Sequence, residues 1–244
     1  MLLLKLLCVT AAVFGYYYFY LHALLRLAHA ISKRLVARTH RTFSEIAGIV
    51  ELSLFATSHV LFCIALLLSM GLTPRALVLR AVGPATVLFG IVLGIAEMGF
   101  ASFLCRLAIE TTKLALPTKA PQDLTSWLTI AKGGWMRHHL RTVEVAPWPL
   151  IAVLLVMQIS SEEIVFRGVV ANVASAAGTV AAVVLSALLF SIIQGFLMPS
   201  WQSAMFPIIG GVVMGVVHGM LYMAVPNVVP LVVAHLAFFA FAIK

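Results

Sequence analysis

Charge is scarce in this sequence. Only 10% of its 244 residues are Asp, Glu, Lys or Arg, against roughly 25% in an average soluble domain. The remainder is 63% hydrophobic with a mean hydropathy of +1.11, which excludes water as the main solvent. Cysteine is equally sparse. Cys8, Cys63 and Cys105 all fall in apolar runs with no C-x-x-C pair, so they read as small core hydrophobes and fix no redox compartment. Internal repeats, low-complexity linkers and retention or targeting signals are missing too, leaving one compact membrane domain as the simplest description.

What is present is a series of long apolar runs. Crossing a bilayer takes about 20 predominantly apolar residues per helix, several stretches meet that length, and seven spans are read: 2–25, 46–70, 83–108, 147–172, 178–198, 204–224 and 228–243. The expected fold is therefore an all-α integral membrane protein of about seven transmembrane helices. Ala28-His29-Ala30 imitates a signal-peptidase site behind the first run. That run is longer than a secretory h-region and its basic cluster lies behind it, so it reads as a span. Cys8 follows Leu7 rather than a small residue, which argues against a lipoprotein box.

The net charge of +8 does not point to nucleic acid, because the basic residues crowd into two loops. Arg26, Lys33, Arg34, Arg38 and Arg41 lie between spans one and two; Lys113, Lys119, Lys132, Arg137 and Arg141 lie between spans three and four. Lys5, Arg75 and Arg80 are the basic residues expected on the other side. The positive-inside rule then places the N-terminus outside and the C-terminus, at Lys244, in the cytoplasm. Phospholipid head groups are the expected electrostatic partner, and a bacterial inner membrane the expected location. In the polar stretch 110–146, Leu124, Trp127, Leu128, Ala131 and Trp135 recur at helical spacing. This suits a helix in the head-group plane or an ordinary loop helix weakened by Gly133-Gly134.

From Pro147 onward the polar loops almost vanish, and here Glu162, Glu163 and Arg167 sit deep inside a span. A charged side chain at bilayer depth costs about 2.5–3.5 kcal/mol on insertion scales, so three of them call for an explanation. Glu163 and Arg167 are four apart, with Glu on the N-terminal side, the favourable order for a helical ion pair. Glu162 points about 100° away and has no obvious partner in sequence. An unpaired carboxylate beside a trapped water is a candidate general base. The alternative is an ion-pair network that only locks the span to its neighbours.

The string Glu162-Glu163-Ile164-Val165-Phe166-Arg167-Gly168 resembles the E-E-x-x-x-R motif of the CPBP (Abi) family of CAAX proteases and bacteriocin-processing enzymes. The resemblance covers roughly 147–243 and implies a glutamic-type intramembrane endopeptidase whose catalytic core is the last four helices. It would divide the chain into 1–146, with N-terminal spans and a cytoplasmic or interfacial loop, and the core 147–244. Family order continues with F-x-x-x-H and H-x-x-x-N. Here Phe190-Ser191-Ile192-Ile193-Gln194 has Gln in place of His, and His235-Leu236-Ala237-Phe238-Phe239 has Phe in place of Asn. By resemblance Glu162 would activate water, Glu163 and Arg167 would support it, Gln194 would help hold the water, and His235 would belong to an oxyanion-stabilising pair. Gln194 can hydrogen-bond a water but cannot take its proton, and Phe239 cannot donate. The implied partner is a membrane-embedded or membrane-proximal peptide or protein.

Counting offers a check independent of the family. Glu162 lies sixteen residues before Gly178 and Gln194 sixteen after it, so a hairpin there puts both about 24 Å along their helices. His218 and His235 are similarly level about Pro226. His218 is an extra histidine that either replaces a missing polar group or simply bonds a carbonyl or His235. Glutamates and histidines can hold zinc. No H-E-x-x-H or similarly compact spacing is present, so no cofactor is expected and zinc is the minor alternative. Glu97 either lines the same cavity or is merely paired; Glu51 and His59 read as structural; the tyrosines at 16, 17, 18 and 20 read as packing or interface anchors. Two other functions compete with proteolysis: a non-catalytic relative that binds a peptide or confers immunity, and a small proton-coupled transporter built on Glu97, Glu162 and Glu163.

Overall fold

The computed structural model describes residues 2–73, 83–131 and 136–242. All nine elements described are helices. They are α1 (Leu2–Val36), α2 (Phe43–Met70), α3 (Pro84–Ala115), α4 (Leu124–Ala131), α5 (Met136–Val145), α6 (Trp148–Ser175), α7 (Thr179–Phe196), α8 (Trp201–Ala224) and α9 (Val229–Ala242). Six of these, α1, α2, α3, α6, α7 and α8, are long and apolar enough to cross a membrane, and α9 is a shorter apolar helix. The seven expected spans correspond to them, with α1 running on to Val36 and α3 to Ala115.

Local chemistry sets the helix ends. Thr42 and Glu45 cap α2 reciprocally, the Thr42 amide donating to Glu45 Oε2 at 2.7 Å and the Glu45 amide to Thr42 Oγ1 at 3.4 Å. Ser200 and Ser203 repeat the device at α8. Gly178, at φ 108°, makes the α6–α7 hairpin where counting placed it, in a conformation that disfavours a side chain. Arg75, Arg80, Lys132, Trp135 and Lys244 lie outside the described residues.

Helix α6 is the hub. It packs against α2, α7, α8 and α9, and 56% of its most apolar window is buried, against 22% for α1 and α3, whose outer faces are free to meet lipid. Small residues let the other helices approach closely, the usual device where lipid offers no hydrophobic driving force. On α3, Gly90, Gly94, Glu97, Ala101 and Cys105 form one buried face by helical spacing. A Cβ on Gly94 would sit 2.1 Å from the Ala234 carbonyl oxygen of α9, so only glycine permits this crossing. Gly215 of α8 is nearly as tight, 2.9 Å from Ala187 Cα of α7.

Two helices contain π-helical turns, at Gly15–Tyr20 in α1 and Ile164–Ala171 in α6. The second begins directly after Glu163 and carries Arg167 inward. Within it the Phe166 carbonyl accepts a bond of 2.9 Å from the Ser186 hydroxyl of α7, so the loosened turn gains a partner from its neighbour. Outside the spans, Asp123 precedes α4. The Ser126 hydroxyl and then the Ser126 amide donate to it, at 2.7 and 2.8 Å, and hold its carboxyl below the usual range. Trp127 is not a head-group anchor: it is buried against Met205, Phe206 and Ile209 of α8 and donates Nε1–H to the Pro121 carbonyl at 2.8 Å. Of the three cysteines, Cys63 and Cys105 are buried as expected, but Cys8 is exposed on α1.

Candidate active site

Arg167 and Glu163 are both wholly buried, with Arg167 Nε 3.3 Å from Glu163 Oε2. The arginine also donates Nη2–H to the Met214 carbonyl at 3.0 Å and lies 4.4 Å from the Phe190 ring centroid, a cation–π contact in a dry setting. Glu163 has two further partners. His218 Nδ1 is 3.1 Å from Oε2 and His235 Nδ1 is 2.8 Å from Oε1. His218 then reaches on through Nε2 to Glu97 Oε2 at 3.2 Å. One carboxylate thus ties together α6, α8 and α9, and through His218 also α3. At bilayer depth such pairing is what offsets the cost of each charge.

Glu162 faces elsewhere. It borders an open cavity, about 880 Å³ of empty space counted out to its mouth, among α1, α2, α6, α7, α8 and α9. Of the residues singled out from sequence, Glu162, Gln194, His235 and Phe239 line it, as does His59, which the sequence had marked as structural, while Glu163, Arg167, His218 and Glu97 stand behind the wall. Glu97 is therefore paired rather than cavity-lining. The remaining wall is mostly apolar or aromatic, including Tyr17, Phe55, Phe206, Pro207 and Phe238. Among the described residues, no group of three His, Cys, Asp or Glu side chains is arranged to hold a metal ion.

Sequence reasoning left Glu162 without a partner, and packing supplies two. Gln158 Nε2 donates to Glu162 Oε1 at 3.4 Å, and His59 Nε2 lies 3.7 Å from the same oxygen. Gln158 is one helical turn before Glu162 and was readable from spacing. His59 comes from α2, and only the α2–α6 contact reveals it.

These features define a class: a helical membrane bundle with a buried acid–base network backing a single cavity-facing carboxylate. Residues 144–241 match the family described as Type II CAAX prenyl endopeptidase Rce1-like, a CPBP family, and this match supports a protease-type domain in that segment. No curated protein and no solved structure matches the chain.

Proposed function

We propose that the protein is an intramembrane endopeptidase in which Glu162 activates the water that cleaves a membrane-associated peptide or protein, as in CAAX-type or sorting-signal processing. The supporting observation is the division of labour between adjacent glutamates: Glu162 meets the cavity, and Glu163 is committed to Arg167, His218 and His235. In this mechanism Glu162 takes a proton from water, the resulting hydroxide attacks the scissile carbonyl carbon, and the amide nitrogen leaves as an amine after receiving a proton. His235, held through Nδ1 by Glu163, would donate Nε2–H to the developing oxyanion as the imidazolium. Gln194 orients the water through its amide without taking a proton.

The cavity lies at the end of the bundle shared by the C-terminal ends of α7 and α9 and the N-terminal half of α8. By connectivity this is also the end that bears Lys33 and Arg34 in the last turn of α1, Lys113 in the last turn of α3, and Arg38 and Lys119 in the loops that follow. The positive-inside rule makes it the cytoplasmic face, with substrate arriving from the inner leaflet.

The test is Glu162→Gln in purified full-length protein, assayed with a prenylated CAAX-type peptide carrying a fluorophore and quencher across the scissile bond. Cleavage should fall at least 100-fold, with unchanged thermal unfolding. Retained cleavage would remove Glu162 from the mechanism. Gln194 and Phe239 on the cavity wall favour a second reading, a non-catalytic peptide-binding or immunity protein. Binding of the same peptide without turnover, unaffected by Glu162→Gln, would select it.

A further inference from the structure

Glu162 accepts a proton in the mechanism above, and that proton must wait somewhere until the amine leaves. Of the polar cavity-lining side chains, Gln158 and Gln194 carry amides, which cannot hold a proton at neutral pH, and His235 is bonded through Nδ1 to Glu163. The other imidazole is that of His59. Its Nε2 is 3.7 Å from Glu162 Oε1, both residues line the cavity, and the ring is 2% exposed. It is also held in a fixed orientation. Nδ1 lies 2.9 Å from the Phe55 carbonyl, which can only accept, so Nδ1 carries a hydrogen and Nε2 is the nitrogen turned to Glu162. The rings of Tyr16 and Tyr17 stand edge-on to the imidazole at 5.1 and 5.3 Å, and Tyr16 is pinned by a 2.7 Å bond to Ser58. The π-helical turn of α1 brings both tyrosines inward at adjacent positions.

From this geometry we infer that His59, from α2 and outside the family-matched segment, is the positioning residue and proton-holding partner of Glu162. The inference rests on the protease reading of the same site. Both neighbours approach Oε1, so a proton taken from water at that oxygen faces His59 Nε2. That proton is shared between the carboxyl group and His59 Nε2 while hydroxide adds to the carbonyl carbon. As the C–N bond breaks, the proton passes to the leaving nitrogen, and Glu162 and His59 return to their starting states. The balance is peptide plus water giving acid plus amine.

Two measurements on the full-length protein in lipid nanodiscs test it. The first is turnover of the prenylated CAAX-type peptide. His59→Gln, which keeps volume and a polar tip, should lower kcat by about 100-fold with KM within about twofold. Added imidazole should restore part of the rate in His59→Ala. The second needs no substrate: ¹⁵N NMR of ring-labelled histidine, in which Glu162→Gln should shift the His59 Nε2 resonance and leave His22 and His29 unmoved. Wild-type turnover by His59→Gln, or a His59 resonance indifferent to Glu162→Gln, would overturn the inference. If the wild-type protein cleaves no peptide while the resonance shifts, the protease reading fails and the pairing stands.

Discussion

Arg167 heads the largest side chains that are fully enclosed in the bundle, and its position explains why Glu163 can be ionised there at all. Removing one member of a buried pair strands the other, at a cost of about 3–5 kcal/mol. Arg167→Ala should therefore lower stability by that amount, read as thermal unfolding in detergent. Arg167→Lys should fall between, because a lysine ammonium cannot match the planar fork that reaches Glu163 and the Met214 carbonyl together. An Arg167→Ala protein as stable as wild type would mean that Glu163 is neutral and the pair carries no weight. The pair was legible in sequence, since charge at bilayer depth stands out and the spacing of four fixes the partner. His59 was not. A lone histidine in an apolar helix looks the same whether it faces a carbonyl or a carboxylate, and only the packing of α2 on α6 distinguishes the two.

Among the elements, the crossing of α3 and α9 deserves a separate test because two parts of the network depend on it. Gly94 lets the backbones meet, Glu97 follows one turn later to reach His218, and Ala234 sits beside His235. Gly94→Leu should push α9 away and pull His235 off Glu163. It is expected to lose peptide cleavage and to destabilise by at least the roughly 1–3 kcal/mol of ordinary overpacking. Normal activity and stability in Gly94→Leu would show that α9 can shift without cost. Helix number and the Gly178 hairpin were readable from apolar run length and glycine placement. The π-helical turns were not, because nothing in Gly15–Tyr20 or Ile164–Ala171 marks a change in hydrogen-bond register. Nor was the burial of Trp127. Tryptophan suits both a head-group layer and a protein groove, and the Met205–Phe206 surface that receives it is distant in sequence.

At the scale of the whole molecule, the topology makes the opening of the cavity a question of sidedness. With the native cysteines replaced by serine, Thr39→Cys should be shielded from a membrane-impermeant maleimide in intact cells, and Ala177→Cys, on the opposite end, should be labelled. The reverse pattern would place the cavity mouth outside. Charge clustering already suggested this orientation, but the cavity itself could not be foreseen, because its wall is assembled from six helices. That wall has a practical consequence. Apart from Glu162, His59, His235 and a few amide and hydroxyl groups, it is hydrocarbon and aromatic ring. Burial of apolar area is non-directional and favours any alkyl chain that fits. A micelle is thus a competitor rather than an inert solvent for this protein, and detergent tails will contend for the groove with the peptide substrate proposed above.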